Sequence, residues 1–202
     1  MLRSPLPGSS RATSPHPPKT PQHNHENDAP PIPGLTVPEL QILKSACLAA
    51  KERAYCPYSH FPVGCAILTK PNNLNSHVTP QPSPPNIIDG ANVENASYPV
   101  GTCAERVALG TAVASHGCRK GNFRAMAVVT DTVGIPGSPC GMCRQFIAEF
   151  CEPSMPVFMY NKDGDYKVMT VEQLLPMGFS MDALHSNQGD HSGEKPSTLQ
   201  VP

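Results

Sequence analysis

Two stretches, "TCAERVALG" at residues 102–110 and "SPCGMCRQF" at residues 138–146, decide the reading of this chain. In the first, a thiol and a carboxylate two positions apart, Cys103 and Glu105, open an apolar, small-residue run with helical character that extends to about His116, where Gly117 supplies a C-cap. In the second, Ser138 offers an N-cap and Pro139 suits the first helical position, so a short helix is predicted beneath Cys140 and Cys143. Two sulfurs spaced this way at a helix start can reach one point, where free N–H groups and the helix dipole favour thiolate. Cys103 opens its own helix with the same advantage.

Outward from these stretches, local signals supply the other elements. "TVPEL" at residues 36–40 places Thr36 at an N-cap with Glu39 three positions on, and Leu40, Leu43, Cys47, Ala50 and Ala54 mark one helical face. "FPVGCAIL" at 61–68 reads as a strand, and "IIDGANVEN" at 87–95 as another, with the proline-rich "KPNNLNSHVTPQPSPPN" at 70–86 as a long loop between neighbours. "FRAMAVVTD" at 123–131 is nearly continuous in apolar residues, as a strand covered on both faces should be. "MPVFMYNKDGDYKVMTV" at 155–171 contains two strand-like runs around an Asp-Gly turn signal, and Thr170 with Gln173 caps a last helix. The predicted order is α-β-β-α-β-α-β-β-α, an α/β class with one sheet and helices on both faces.

Composition bounds what such a fold can do. With 202 residues, 39% apolar, the chain can bury one ordinary core and has no length for a second catalytic domain. Nine of the 25 prolines fall in residues 1–34, among Ser, Asn and His, a composition that buries too little apolar area to offset its ordering entropy. Residues 1–34 are expected to be a disordered tail, residues 186–202 a second, and residues 35–185 the folded domain. His16, His23 and His25 in the first tail are read as solvated. The formal charge of −1, without a long basic block, argues against a nucleic-acid partner and for a small substrate. No run reaches the roughly 18 apolar residues of a membrane span, and "MLRSPLPGSSRATSPH" lacks the apolar core of a secretory signal, so a reducing, cytoplasmic location is expected. Arg3, Arg11 and the early serines resemble a transit peptide only faintly, because Pro5 and Pro7 oppose an amphipathic helix.

Three thiolates meeting on one cation would form a zinc site one protein ligand short of the usual structural four, leaving a position for water. Zinc can lower the pKa of water from 15.7 to roughly 7, although three thiolates leave the cluster net negative and weaken that effect. The two helix N-termini oppose the negative charge, and Arg106 could hydrogen-bond a ligand sulfur and withdraw more of it. Glu105 lies too far around the helix from Cys103 to claim the same position, which suits it to moving protons rather than to ligation. A lone C-x-x-C also serves redox motifs and structural zinc; the added C-A-E half makes the signature a strong one. Cys47, Cys56, Cys65, Cys118 and Cys151 sit in apolar or small-residue contexts and are read as core packing.

C-A-E followed by P-C-x-x-C is a zinc-deaminase pattern, and over about residues 36–184 the chain resembles the cytidine deaminases of the small, homotetrameric, three-cysteine kind. "YCPYSHFPVG", "NVENASYP", "CAERVAL", "SPCGMCRQF" and "VMTVEQLLP" occur in that family's order. The resemblance implies a three-layer α/β/α sandwich around a mixed five-stranded sheet. It makes Cys103, Cys140 and Cys143 zinc ligands and Glu105 the proton shuttle. It further implies that Asn92 and Glu94, two apart on a strand and facing the same way, bind ribose hydroxyls, with Phe61 beside the base and Ala104 donating its N–H to the pyrimidine carbonyl. Ala96, Tyr98 and Phe179 would help complete a neighbouring subunit's site. The implied activity is deamination of cytidine and 2′-deoxycytidine in pyrimidine salvage. Weighed against it are a deaminase of another aminopyrimidine, a polynucleotide editor, and an inactive zinc or interaction protein using the proline-rich segments. Departures from the family are the two tails and the insertion at 70–86, which bear on oligomer packing more than on chemistry because loop closure costs little extra entropy with length.

Overall fold

Residues 34–70 and 87–180 are described by the computed structural model. The expected tails and the insertion fall almost wholly outside these residues. Helix α1, Val37–Lys51, begins where the capping box predicts: the Glu39 N–H donates to Thr36 Oγ1 at 3.4 Å and the Thr36 N–H to Glu39 Oε2 at 2.9 Å. Leu43, Cys47 and Ala50 form its buried face, whereas Ala54 lies beyond the helix end.

Strands β1 (Val63–Thr69), β2 (Ile87–Ala91), β3 (Phe123–Thr130), β4 (Pro156–Tyr160) and β5 (Tyr166–Thr170) form one sheet in the order β2-β1-β3-β4-β5. Only β3 and β4 are parallel; they are joined through helix α3, Gly141–Phe150, as a parallel crossover requires. All other neighbours are antiparallel. β1 and β2 pair from Gly64 opposite Ala91 to Leu68 opposite Ile87, so the strands on either side of the proline-rich insertion are neighbours.

Side-chain alternation divides the core into two layers. Cys65, Ile67, Met126, Val128, Val157 and Met159 point to the face covered by α2 (Ala104–His116), α3 and the short α4 (Val171–Leu174). Ala66, Leu68, Ala125, Ala127, Val129 and Phe158 point to the other face, against Leu43 and Cys47 of α1. The three-layer arrangement and the element order are those predicted. β1 and β3 need apolar residues at consecutive positions because both their faces are covered.

Two glycines set the distance between sheet and helices. A Cβ on Gly64 would lie 2.1 Å from the Cys47 carbonyl oxygen, and one on Gly90 2.5 Å from the Ala108 nitrogen. β1 thus meets α1, and β2 meets α2, backbone against backbone. α2 ends as its sequence predicts, with Gly117 in the left-handed conformation at φ 65°.

Candidate metal centre and active site

Cys103 is the N-cap residue of α2 and Cys140 the N-cap residue of α3, so the two thiols project from equivalent places on adjacent helices. This corrects the predicted start of α3. Ser138 and Pro139 precede the cap, and the helix begins at Gly141. Cys143 follows in the first turn, one turn from Cys140. The three sulfurs lie within 4.8 Å of one another, and those of Cys103 and Cys140 are 4.0 Å apart. Tetrahedral ligation with zinc–sulfur bonds near 2.3 Å places sulfurs about 3.8 Å apart, so the cluster has the dimensions and the soft donors that zinc takes. Among the described residues no other group of three such side chains meets.

Thiol ionisation follows from this crowding. The Cys103 thiol is drawn down to about 5, first by its hydrogen bond with Cys143, then with help from Cys140 and the charge of Arg106. The same Cys103–Cys143 hydrogen bond pushes the Cys143 thiol far up, since one sulfur keeps the proton that the other gives away. A dication replaces that shared proton and lets all three ionise.

Glu105 sits in the first turn of α2 and is only 4% exposed. Burial raises its carboxyl above the ordinary range, the negative Cys103 adds to the rise, and a hydrogen bond with Cys143 partly opposes it. The carboxyl therefore lies close enough to feel the sulfurs electrostatically without joining their group of three. The Arg106 guanidinium donates from Nη2 to the Gly101 carbonyl at 3.1 Å, and its hydrogen bond and charge both act on Cys103. Its Nε is buried without a hydrogen-bond partner.

The family model described as "Cytidine and deoxycytidylate deaminase zinc-binding region" matches residues 38–159. The chain belongs to the cytidine and deoxycytidylate deaminase family. A cytidine deaminase of Sporosarcina psychrophila is 48% identical over 135 residues, which span 67% of this chain and 87% of the relative. A probable cytidine deaminase of Dictyostelium discoideum is 36% identical over 146 residues, 72% of this chain and 87% of the relative. Among solved structures, a Burkholderia pseudomallei cytidine deaminase superposes with a TM-score of 0.58 at 42% identity, covering 69% of this chain and 98% of that one. Zinc is the metal that this family's domain and the three thiols call for.

In this deaminase domain the other residues singled out from sequence divide into two groups. Asn92, Glu94, Phe61 and Tyr98 gather near one another. β2 stops at Ala91, so Asn92 and Glu94 are not on the strand, as predicted, but flank Val93, which bridges to Tyr55 on one side and Thr102 on the other. Both side chains nonetheless turn toward the 58–63 loop. Asn92 Oδ1 accepts from the Val63 N–H at 2.8 Å and Nδ2 donates to the Phe61 carbonyl at 3.0 Å. The Glu94 carboxylate accepts from the N–H groups of Tyr58 and Ser59, at 2.9 and 3.2 Å, and from the Ser59 hydroxyl. Tyr58, Ser59, Glu94, Asn95, Tyr98 and Gly101 line a cavity of about 300 Å³. Ser59, which sequence reasoning passed over, also accepts from the Phe61 N–H at 3.1 Å. Its only sequence signal is its place in "YSHF".

Phe179 stands apart. Its carbonyl accepts from Gln145 Nε2 at 2.9 Å, and it lines a separate groove with Arg119, Lys120, Glu149 and Phe150, near the C-terminal end of α3. Ala96 is exposed, and Tyr98 is 73% exposed with its ring 5.8 Å from that of Tyr58. Ala104 is buried at the first position of α2. Of the five cysteines assigned to packing, Cys47, Cys65, Cys118 and Cys151 are buried, but Cys56 is only half-buried.

Proposed function

We propose that the chain hydrolyses cytidine and 2′-deoxycytidine to uridine and 2′-deoxyuridine with release of ammonia, a step of pyrimidine salvage. The observation that carries this reading is three thiols converging at two helix N-termini with one buried carboxyl, Glu105, against them. Held by Cys103, Cys140 and Cys143, zinc supplies water activated for attack at the ring carbon that bears the amine.

Glu105 carries the protons. It accepts one from the attacking water and delivers it to ring nitrogen N3, then takes the second from the hydroxyl now on the ring carbon and passes it to the amine, so the carbon–nitrogen bond breaks as ammonia leaves and the carbonyl forms. Its raised pKa supports the assignment, because a carboxyl that takes and returns protons near neutral pH must hold them more tightly than an exposed one. Arg106 draws charge from the Cys103 sulfur. Asn92 and Glu94 receive the ribose hydroxyls, Phe61 packs beside the base and Ala104 gives its N–H to the pyrimidine carbonyl.

In this reading the working enzyme is a homotetramer in the cytoplasm, without nucleic-acid or membrane partners. Large apolar side chains stand exposed at positions close in sequence to the thiols, including Val100, Ile135 and Met142, and Ile135 is 83% exposed. Where exposed apolar side chains adjoin, they mark interaction surfaces. Ala96, Tyr98 and Phe179 then act on a neighbour's site; the placement of Phe179, 62% exposed in a groove that holds none of its own chain's sulfurs, supports this. No helix among the described residues is long and apolar enough to cross a membrane.

Metal analysis together with turnover of cytosine, cytidine, deoxycytidine, dCMP and adenosine, followed by ultraviolet absorbance, tests the reading. Stoichiometric zinc and turnover of cytidine and deoxycytidine are expected. Zinc-loaded protein that leaves both nucleosides intact rules it out.

A further inference from the structure

We infer that Arg144 is a positioning residue for the metal centre, clamping the loop that presents Cys140 and joining it to the segment that follows α4. This goes beyond the deaminase reading and rests only on zinc at the three sulfurs.

Of the three thiols, Cys143 is buried, Cys103 is half-buried and Cys140 is exposed. Cys140 also has a non-helical backbone, at φ −67° and ψ 169°, and lies at the end of the 131–139 loop. Packing therefore restrains it least. The restraint comes from Arg144, the residue after Cys143. Its backbone N–H donates to the Cys140 carbonyl at 2.9 Å. Its side chain then reaches back along the incoming loop, Nε to the Pro139 carbonyl at 2.8 Å and Nη2 to Ser138 Oγ at 2.8 Å. One residue thus binds three consecutive residues up to and including an exposed ligand, and is itself bonded covalently to the buried one.

The remaining arm, Nη1, donates to the Leu174 carbonyl at 3.0 Å, at the last residue of α4. Five residues on, Phe179 is held by Gln145, the neighbour of Arg144. Adjacent α3 side chains therefore pin both ends of this segment, and the same guanidinium that steadies the Cys140 loop holds its beginning. A planar fork with several fixed donors can serve three acceptors at once; the compact ammonium of lysine, whose donors sit on one nitrogen, cannot span them. Groups that orient metal ligands from behind are commonly worth 10–100-fold in metal affinity.

The experiment compares zinc-loaded full-length protein with Arg144→Lys, Ser138→Ala and, as a control at an ion pair that makes no hydrogen bond to α3 or its incoming loop, Arg53→Gln. Zinc transfer to a chromophoric chelator is followed without substrate, and the cobalt-substituted forms are examined by absorption. Arg144→Lys should release zinc about tenfold faster and shift the cobalt ligand-field bands, Ser138→Ala should show the same changes to a smaller degree, and Arg53→Gln neither. Wild-type release and an unchanged cobalt spectrum in Arg144→Lys overturn the inference, as does equal acceleration by Arg53→Gln, which would mark general loosening. If Arg144→Lys does not fold, Ser138→Ala decides by the same two measurements. Failure of the deaminase reading would appear separately, as absent turnover in zinc-loaded wild-type protein.

Discussion

Cys103 and Cys140 occupy the same position on two neighbouring helices: each is the N-cap residue, and their sulfurs stand 4.0 Å apart. Neither side chain caps its own helix by a hydrogen bond, which leaves both sulfurs free to face a cation. Chelation should abolish turnover and added zinc should restore it. In metal-stripped protein at pH 7 a thiol-alkylating reagent should modify Cys103, drawn down to about 5, within the first phase. Cys151, pushed up to about 12 by burial, and Cys47 and Cys65, raised by the same cause, should react only on unfolding. Mapping the labelled peptides by mass checks this, and early labelling of Cys65 would contradict the packing described.

Glu105→Gln preserves shape but cannot carry protons. Zinc content should match wild type while kcat falls by about 10²–10⁴, the range that positioned general acid–base groups supply. Metal analysis and steady-state kinetics on one preparation separate the two effects. Near-normal kcat in a zinc-loaded variant would falsify the proton-shuttle role.

The Ser59 hydroxyl donates to the Glu94 carboxylate and accepts from the Phe61 backbone N–H, linking the side chain assigned to ribose with the backbone of the residue assigned to the base. It is also the first cause of the lowered Glu94 pKa. Ser59→Ala should therefore raise KM for cytidine severalfold with little change in kcat, the signature of lost binding common to ground and transition states. A fall in kcat at constant KM would place Ser59 elsewhere in the reaction.

Arg124 holds Glu39 by an ion pair and also donates to the Gly34 carbonyl, tying the start of α1 to β3. The Arg124 hydrogen bond is the first cause that lowers the Glu39 carboxyl from 4.5 to about 2. Because the folded value is depressed, the stabilisation is present above pH 4.5 and is lost as pH falls toward 2. Both side chains are partly exposed, so its worth is about 1 kcal/mol. Urea denaturation of Arg124→Met should show a deficit of that order at pH 7 that shrinks on going to pH 3; a constant deficit would mean that Glu39 titration is not involved.

Gly64→Ala tests how closely α1 rides on the sheet. Its Cβ would meet the Cys47 carbonyl oxygen at 2.1 Å and the Lys51 nitrogen at 2.6 Å, backbone atoms that cannot swing aside. The expected cost is at least about 1–3 kcal/mol, the usual range for overpacking a core, read as a lower urea midpoint. An unchanged midpoint would show that the helix can lift off without penalty.

Much of the fold was legible in the linear sequence because its signals are local. Thr36 with Glu39 and Thr170 with Gln173 announce helix starts through hydrogen bonds spanning three residues, and both capping boxes form. The apolar runs of β1 and β3 announce strands covered on both faces, since every position must avoid water. The three thiols were legible too, as two helix-start motifs with unusual chemistry. The true start of α3 was not, because Ser138 and Pro139 satisfy the same capping preferences as a genuine helix entrance.

Spacing along the chain picked out the three thiols that the fold brings within 4.8 Å of one another, since residue type and helix position suffice to name them. Only the tertiary structure decided that Arg144 reaches both Pro139 and Leu174, that Ser59 stands between Glu94 and Phe61, and that Phe179 lines a groove with Arg119 and Lys120. Each of these depends on where a loop returns after the sheet has closed. Such contacts join residues with no common period or motif, and long-range packing, not local propensity, sets their distances.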